Sequence, residues 1–510
     1  MSRYGCVHLV GAGPGDAGLL TLRGRRLLES ADVVVYDQLV GRGILAWARA
    51  GARMVAAGRD GVSGAAKQRA VNRLLKLEAR GGRCVVRLKG GDPVLFGRGA
   101  EEALALVKAG IRCEIVPGVT SAVAVPSSAG IPVTHRALAS SVGILTGHED
   151  PSKGRSRIRW EHLAKGCDTL VCLMAVKRLP QVVRQLRRHG VPDGRPAAVI
   201  ERGTTAAQRT VTGTLGTIVA RAARARVRPP AILIVGEVVR LRAGLKHLER
   251  APLFGRRILV TRAAGRAERL VGELESLGAE VEHIPAIAQK PVRALGLFRK
   301  ALARLGPGTW VVFSSPEGPG WCLRVFRRCG ADVRALAGCR IGAIGPKTAE
   351  AVRAIGLRVD FVPARYSQEG ILRGLPRRLH GQRAVLLCAQ GSREALPDGL
   401  RRRGMAVERV PVYRTVIPHG MVRDVRRAFT RPFDAVLVTS ASCVEHLRAA
   451  LARAGLSRRM RELPFVSIGP VTSAAVRRSG GRVRAEASVS TIEGLMAALR
   501  RRAGGRRRAR

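Results

Sequence analysis

The feature that most constrains the fold is a regular alternation of short apolar runs with helix-like segments in the first half of the chain. The runs are rich in β-branched residues and end in Gly, Pro or Asp, as buried strands do. Helical patterning lies between several of them, for example over 20–30 and 99–108. Strand and helix signals that alternate in this way predict α/β layers with mostly parallel strands.

The second half contains an internal repeat, in which four motifs recur in the same order at nearly constant spacing. VEHIPAI returns as VERVPVY, VVFSSPEG as AVLVTSAS, IGAIGPKTAEAV as FVSIGPVTSAAV, and ARYSQEGIL as SVSTIEGLM. A repeat of this length predicts two similar α/β lobes, and a cleft between lobes is a common site for small molecules. Because the rhythm breaks at 247–255, we predict domains over 1–250 and 251–501, with a basic tail at 502–510.

Cysteine usage and hydropathy together predict a cytoplasmic protein. The ten cysteines are scattered, with no C-x-x-C pair and no clustering with histidine. This pattern argues against a zinc site or a disulfide framework and favours a reducing compartment, so no metal is expected. No apolar run approaches the ~20 residues of a membrane span, and the N-terminus lacks the apolar core of a signal peptide.

The charge of the chain suggests an anionic partner. Ninety Lys and Arg residues against 37 Asp and Glu residues give a formal net charge of +53. Nucleic acid is one such partner. However, aromatic residues make up only 3% of the chain, which leaves few rings for stacking bases. A strongly anionic small substrate suits the same positive field, so nucleic-acid binding stays open as the weaker alternative.

Glycine-rich strand ends mark a candidate ligand site. The run VVRLKGGDPVLFGR stops at Gly90-Gly91, which leaves bare backbone at the carboxyl end of a buried strand, where open α/β sheets bind ligands. Asp92 adds a carboxylate there. Another strand runs into the loop GAGPGD, but the residue where a dinucleotide fingerprint needs glycine is Asp16. Asp37 ends a further strand and faces the same crevice, with helix capping as its alternative role.

These segments resemble, in order, the tetrapyrrole methylases, and among them the uroporphyrinogen-III C-methyltransferases. The resemblance extends from Gly5 to about Leu245 and includes IVPGVTSAVAVPSSAGIPVTHR and PAILIVGEVV. It implies a two-domain methylase fold that binds S-adenosylmethionine in the cleft between its domains, usually as a homodimer. The implied reaction is methylation of uroporphyrinogen III at C2 and C7, which gives precorrin-2.

The same resemblance assigns residues to roles. Asp37 matches the family's proposed proton acceptor. The family usually has Gly-Lys-Arg where this chain has Gly58-Arg59-Asp60, and its lysine is the proposed proton donor. Because arginine stays protonated at ordinary pH, we expect Arg59 to hold a substrate carboxylate rather than donate a proton. The positions that match cofactor contacts are Pro14, Gly90, Gly91, Asp92, Leu95, Thr120, Ser121, Met174, Gly203 and Ala231.

The second half resembles the uroporphyrinogen-III synthases over about 255–500, in the order ILVTRA, VVFSSPEG, AIGPKTAEAV, VPVYRT and IGPVTSAAV. The resemblance implies two α/β lobes of flavodoxin-like type. The first lobe is discontinuous, with 255–285 joined to 417–500, and 286–416 forms the second.

The reaction implied by this second resemblance closes hydroxymethylbilane to uroporphyrinogen III, with loss of water and inversion of ring D, and needs no cofactor. Tyr413 matches a tyrosine placed over the cleft, as a candidate to assist loss of the hydroxyl, and Thr472 matches a cleft threonine. Since the product of this half is the substrate of the other, we predict a bifunctional enzyme of tetrapyrrole biosynthesis. An active methyltransferase joined to a degenerate synthase half stays open as an alternative.

Overall fold

The computed structural model describes residues 4–57, 64–148, 156–292, 295–376, 378–392 and 394–507. Contacts divide the chain into two compact units. The first unit comprises Met1–Ile258, Leu270–Val281 and Leu499–Arg510, and the second comprises Leu259–Arg269 and Glu282–Ala498. The predicted domain boundaries stay predictions. Among the described residues, no helix combines the length and the apolar character that crossing a membrane requires.

The first sheet is parallel throughout and has the order β3-β2-β4-β1-β5. Its central strands are buried on both faces, which explains their nearly continuous apolar sequence. The carboxyl ends of β1 and β4 therefore lie side by side, and each continues into a glycine loop. The elements are β1 (Cys6–Gly11), α1 (Leu22–Ser30), β2 (Val33–Tyr36), α2 (Arg42–Leu45), β3 (Arg53–Ala56), α3 (Gly64–Arg80), β4 (Val85–Lys89), α4 (Gly99–Val107), β5 (Arg112–Val116) and α5 (Ser121–Ser128).

The second sheet has the order β6-β7-β10-β8-β9 and is mixed. Only β6 and β7 pair in parallel, and the other three pairs are antiparallel. The prediction of mostly parallel strands is therefore wrong for this sheet. The connection 202–208 between β8 and β9 is too short for the crossover that a parallel pair requires. The elements are β6 (Val142–Thr146), α6 (Trp160–Gly166), β7 (Thr169–Leu173), α7 (Leu179–Arg188), β8 (Pro196–Glu201), β9 (Arg209–Thr214), α8 (Ile218–Arg224), β10 (Ala231–Val235) and α9 (Arg242–Leu245).

The second half of the chain alternates strands and helices, as predicted. The strands are β11 (Arg257–Val260), β12 (Glu280–His283), β13 (Ala288–Pro291), β14 (Thr309–Phe313), β15 (Arg340–Ala343), β16 (Arg383–Ala389), β17 (Ala406–Val416), β18 (Ala435–Val438), β19 (Pro464–Ser467) and β20 (Arg482–Glu486). The helices are α10 (Ala264–Ser276), α11 (Gly296–Leu302), α12 (Gly318–Arg328), α13 (Pro346–Arg353), α14 (Gln368–Gly374), α15 (Ala395–Arg401), α16 (Met421–Ala428), α17 (Ala441–Arg453), α18 (Arg459–Glu462), α19 (Pro470–Arg478) and α20 (Ile492–Arg507).

These strands form two further sheets, and the sequence of one is inserted into that of the other. The third sheet, β12-β11-β18-β19-β20, takes its strands from both ends of this half, and the fourth, β13-β17-β16-β14-β15, lies between them in sequence. Numbered along its own strands, the third sheet has the order 2-1-3-4-5, that of a doubly wound sheet.

The internal repeat is visible as a repeated strand and helix. The strand β15 is followed by α13, which begins at Pro346, and β19 is followed in the same way by α19, which begins at Pro470. The VPVY motif lies inside β17, which pairs with β16 in parallel and with β13 antiparallel.

Candidate active site

A cavity of about 470 Å³ lies where the loops after β1 and β4 face residues of the second sheet within the first unit. This volume is within the ~300–1,000 Å³ range that is usual for small-molecule sites. Most of the lining is glycine backbone and apolar side chains, with Lys177 and Arg202 as its cationic members. The lining residues are Gly13, Pro14, Leu39, Gly90, Gly91, Ser121, Val125, His148, Leu173, Met174, Val176, Lys177, Ile200, Arg202, Gly203, Pro229, Pro230, Ala231 and Ile232.

Close backbone approach explains the glycines at this cavity. The N–H of Gly13 donates to the Gly91 carbonyl at 3.1 Å, and the N–H of Gly91 donates to the Gly13 carbonyl at 2.7 Å. A Cβ atom on Gly118 would lie 2.4 Å from the Gly91 carbonyl oxygen and 2.6 Å from Cα of Gly11. No real side chain tolerates such distances, so three loops pack here through bare backbone. The positive φ of Gly91 also lies in the left-handed region that favours glycine.

The Asp92 carboxylate holds the loop together. Oδ1 of Asp92 accepts the N–H groups of Val94 and Leu95 at 2.9 and 3.0 Å, and Oδ2 accepts the N–H of Gly118 at 3.1 Å. The carboxylate therefore ties the end of β4 to the loop after β5. An aspartate after the glycine pair fixes the two loops whose backbones border the cavity.

Seven of the ten predicted cofactor residues line the cavity. Asp92, Leu95 and Thr120 are not among the lining residues. Leu95 packs against the apolar core between α5 and the second sheet. The Thr120 hydroxyl caps α5 by accepting the N–H of Ala122 at 3.2 Å. Their roles as cofactor contacts, like those of the other seven, stay predictions. The seven lining residues are Pro14, Gly90, Gly91, Ser121, Met174, Gly203 and Ala231.

Two non-glycine residues of the lining have left-handed backbone conformations. Met174, directly after β7, has a φ of +57°, and Arg202, directly after β8, has a φ of +48°. Such conformations cost of order 1 to 3 kcal/mol each and cluster at functional sites. Sequence reasoning selected Met174 and Gly203 but missed the cations Arg202 and Lys177. The ERGTT motif carried the signal for Arg202, which directly precedes Gly203.

Asp37 lies at the carboxyl end of β2, two residues before the lining residue Leu39. Its Oδ1 accepts a hydrogen bond from Nη2 of Arg87 at 2.6 Å. The Asp37 side chain is about one-third exposed, at 32%, whereas that of Arg87 is buried. Arg87 therefore holds the Asp37 carboxylate in place, and part of this side chain is exposed to solvent. The predicted Arg59 lies outside the described residues.

Arg87 also belongs to a buried cluster of charged side chains that it forms with Lys89 and Glu102. Glu102, on α4, has no exposed surface, and its Oε1 accepts hydrogen bonds from Nζ of Lys89 at 3.1 Å and Nε2 of Gln68 at 2.9 Å. Its Oε2 lies 3.3 Å from Nε of Arg87. Burial, together with the neighbouring Arg87 cation, lowers the pKa of Lys89. Two cations of β4 therefore meet two carboxylates, Glu102 and Asp37, directly before the Gly90-Gly91 turn.

In the second unit, Tyr413 lies on β17 with its ring in the core of the fourth sheet. Its hydroxyl is 3.0 Å from Oγ of Ser315, and its ring stacks on Trp321 with 6.2 Å between ring centroids. Burial raises the pKa of Tyr413, so the phenol stays neutral. Sequence reasoning selected Tyr413 but missed Ser315 as its hydrogen-bond partner.

Thr472 is buried in the first turn of α19. The next residue, Ser473, lies in a buried hydroxyl chain, with its Oγ 2.6 Å from Oγ of Ser467 and hydrogen-bonded to Glu486. Thr348 occupies the equivalent turn of α13 and is also buried. This symmetry shows that both threonines pack inside their lobes, and the catalytic role of Thr472 stays a prediction.

Comparisons with known proteins match the two halves of the chain to two families. Residues 6–219 match the family model of tetrapyrrole (corrin/porphyrin) methylases, and residues 268–497 match that of uroporphyrinogen-III synthase HemD. The S-adenosyl-L-methionine-dependent uroporphyrinogen III methyltransferase of Methanosarcina barkeri is 52% identical, over 47% of this chain and 93% of its own length. A structure of uroporphyrin-III C-methyl transferase from Thermus thermophilus, complexed with S-adenyl homocysteine, is 42% identical with a TM-score of 0.40, and covers 46% of this chain and 100% of its own.

One relative matches both halves together. The porphyrin biosynthesis protein HemD of Ruminiclostridium josui is 35% identical over 504 residues, which is 98% of this chain and 99% of that protein. Because the similarity spans nearly the whole of both proteins, it includes the methylase region, the synthase region and the order in which they occur. The chain therefore belongs to the HemD family of porphyrin biosynthesis proteins, with a tetrapyrrole methylase region followed by a uroporphyrinogen-III synthase region.

Proposed function

We propose that the protein is a bifunctional enzyme that converts hydroxymethylbilane to uroporphyrinogen III and then methylates it at C2 and C7 to give precorrin-2. The observation that carries this proposal is the presence, in one chain, of a synthase region and of a methylase region whose glycine loops border a cavity. The two reactions are consecutive, because the cyclic product of one is the substrate of the other. The excess of positive charge suits tetrapyrroles, which carry eight carboxylates.

The cavity in the first unit fits S-adenosylmethionine. Bare backbone at Gly90 and Gly91 allows close approach of a ligand, and a Cβ atom on Gly90 would lie 3.4 Å from Cβ of Leu39. The apolar side chains of Leu39, Val125 and Ile200 suit a flat base. When bound, S-adenosylmethionine supplies an electrophilic methyl group. The role of the protein is then to hold the acceptor carbon in line and to remove a proton.

Asp37 is the proton acceptor in this proposal. Removing a pyrrole proton requires an ionised carboxylate with an open face, and Asp37 has both a guanidinium partner and partial exposure. The hydrogen bond from Arg87 fixes the orientation of the carboxylate. Arg87 itself is a positioning residue, since it reaches the reaction only through Asp37.

The cationic lining residues Lys177 and Arg202 bind substrate carboxylates in this proposal. Arg202 presents a planar guanidinium, which can pair with a carboxylate through two hydrogen bonds. Both residues lie on the second-sheet side of the cavity, beyond β7 and β8. The large substrate would therefore meet the second sheet while the methyl donor contacts the glycine loops.

In the synthase region, the neutral phenol of Tyr413 assists loss of the hydroxyl from hydroxymethylbilane. A raised pKa keeps the proton on Tyr413, and Ser315 fixes the direction of its hydroxyl. Departure of water needs a proton on the leaving oxygen, which a neutral phenol can donate. We further propose that the enzyme is a cytoplasmic homodimer. The ten free cysteines agree with a reducing compartment, and the dimer rests on the resemblance to the methylases.

The test supplies the full-length protein with hydroxymethylbilane and S-adenosylmethionine and identifies the products by chromatography. We expect precorrin-2. Accumulation of uroporphyrinogen I would contradict the synthase activity, and accumulation of unmethylated uroporphyrinogen III would contradict the methyltransferase. Two half-assays separate the alternatives: hydroxymethylbilane alone tests cyclisation, and uroporphyrinogen III with S-adenosylmethionine tests methylation. Methylation without cyclisation would identify a degenerate synthase half.

A further inference from the structure

Two cysteines and a histidine converge at the amino-terminal end of the first sheet, away from the cavity. Cys6 and His8 are two residues apart on β1 and point to the same face. Cys84 directly precedes β4, and the parallel register that pairs Val7 with Val85 brings Cys84 beside Cys6. The sequence prediction that no cysteine clusters with histidine is therefore wrong for this group. All three potential ligand atoms lie within 4.8 Å of one another.

The distances agree with the edges of a tetrahedral metal site. Metal bonds of about 2.3 Å to sulfur and 2.0–2.1 Å to nitrogen place two sulfur ligands about 3.8 Å apart, and a sulfur and a nitrogen about 3.6 Å apart. The Sγ atoms of Cys6 and Cys84 are 3.7 Å apart, and Sγ of Cys6 lies 3.3 Å from Nε2 of His8. Small side-chain rotations would bring all three atoms onto one ion.

The imidazole of His8 is oriented as in a metal ligand. Its Nδ1 lies 2.9 Å from Oε2 of Glu114, on the neighbouring strand β5. When Nδ1 donates this hydrogen bond, the lone pair of Nε2 faces the sulfur of Cys6. Metal-bound histidines usually donate their other N–H to a carboxylate in this way. Arg23 pairs with the other oxygen of Glu114 and holds that carboxylate in place.

We propose that Cys6, His8 and Cys84 form a structural zinc site that joins β1 to β4. Two thiolates balance the charge of a divalent ion, and an imidazole with two thiolates is a donor set that favours Zn²⁺ over hard cations such as Mg²⁺. Three protein ligands leave one tetrahedral position for water. Cys6 is the first residue of β1 and Gly11 is the last, so the ion would lie at the opposite end of the strand from the glycine loops of the cavity.

The test measures zinc binding to the full-length protein, purified with a chelator under reducing conditions, by competition with a chromophoric indicator. We expect one tight equivalent of Zn²⁺ per chain, and Co²⁺ in its place should show thiolate-to-metal charge-transfer absorption. Cys6→Ser, Cys84→Ser and His8→Gln should each abolish the tight equivalent. Glu114→Gln should weaken binding about 10- to 100-fold, as loss of an outer carboxylate does.

Cys113→Ser provides the matched control. Cys113 is on the adjacent strand β5, opposite Val7, and packs against the core on the other face of the sheet. This variant should bind Zn²⁺ as the unaltered protein does. Absence of a tight equivalent in the unaltered protein, or an equal loss of binding in Cys113→Ser and Cys6→Ser, would overturn the proposal. So would isolation of the protein with a Cys6–Cys84 disulfide that excludes metal under the same reducing conditions.

A structural role makes a second, independent prediction. We consider the β1 and β4 amides whose hydrogen exchange requires the first unit to open. When free Zn²⁺ is at 100 times the Kd of the site, these amides should exchange about 100-fold more slowly. Methyl transfer by zinc-loaded and zinc-free protein should proceed at equal rates at a temperature where both are folded. A rate that depends on zinc would overturn the structural assignment and place the ion in the reaction.

Discussion

Nη2 of Arg87, from its buried position on β4, donates a hydrogen bond to Oδ1 of Asp37 at the end of β2, across 2.6 Å. The strand that ends in the Gly90-Gly91 turn therefore also fixes the orientation of the proposed proton acceptor. One strand thus connects the glycine loop proposed to bind the methyl donor with the proposed base, which is the arrangement that a reaction dependent on positioning requires.

Replacing Arg87 with methionine should lower kcat for methyl transfer about tenfold to a hundredfold, because a base displaced by about 1 Å loses rate on this scale. Lys89 still pairs with the buried Glu102 in this variant, and the Asp37 carboxylate, which loses its partner, is about one-third exposed. The KM for S-adenosylmethionine should change little, and Arg87→Lys should recover part of the rate. Arg187→Met, which removes an exposed partner of Asp193, is the control. An unchanged kcat in Arg87→Met would show that Arg87 does not position the base.

Replacing Glu102 with glutamine should destabilise the first unit by about 3 to 5 kcal/mol, because Arg87 and Lys89 would share the site with a neutral amide. Urea titration followed by methyl-transfer activity measures the effect. Glu101→Gln is the matched control on the same helix, since Glu101 is 56% exposed and pairs with Arg98 at the surface. Equal urea midpoints for the two variants would contradict this account of the buried cluster.

Replacing Gly118 with alanine should raise the Kd for S-adenosylmethionine at least about tenfold, or about 1.4 kcal/mol. The added methyl group would displace the Gly91 carbonyl, from which its Cβ would be only 2.4 Å, and so distort the cavity without entering it. Equilibrium dialysis measures the Kd. Gly194→Ala is the control, because a Cβ there meets no atom within 4 Å. A wild-type Kd in Gly118→Ala would mean that the loops adjust freely.

Replacing Tyr413 with phenylalanine should lower kcat of cyclisation about a hundredfold if its proton assists loss of the hydroxyl. Burial raises the pKa of Tyr413 above the ordinary value of about 10. The phenol therefore keeps its proton below about pH 10 and loses it only as the pH rises further. Between about pH 7 and 9.5, the unaltered enzyme should show no loss of rate from this group.

The control for this experiment is Tyr366→Phe, because Tyr366 is 66% exposed. It should leave cyclisation unchanged. A descending limb centred below about pH 9 that disappears in Tyr413→Phe would contradict the direction of the pKa shift. Equal cyclisation rates for Tyr413→Phe and Tyr366→Phe would show that the Tyr413 hydroxyl takes no part in the reaction.

Local patterns predicted the parts of the structure that depend on local forces. Buried strands, glycine loops and the repeat were recognisable because β-branched runs and glycines have the same preferences wherever they occur. Pairing between distant segments was not recognisable. Cys84 lies beside Cys6 only because Val85 is in register with Val7, and Arg87 reaches Asp37 only because β2 and β4 are neighbours. The mixed second sheet was missed for the same reason, since strand direction depends on the connections.

The insertion of the fourth sheet within the third has a consequence for synthesis on the ribosome. Strands β11 and β12 leave the exit tunnel before the inserted lobe. The strand β18, which pairs with β11, follows only after the whole inserted lobe has been made. At ordinary rates of synthesis this delay lasts from several seconds to tens of seconds. The inserted lobe is completed at β17, before that partner exists. β11 can pair with β12 in this interval, but its other edge has no partner until β18 is made. The nascent chain therefore has to protect that open strand edge while the inner lobe folds, and we expect the need for a chaperone to be greatest then.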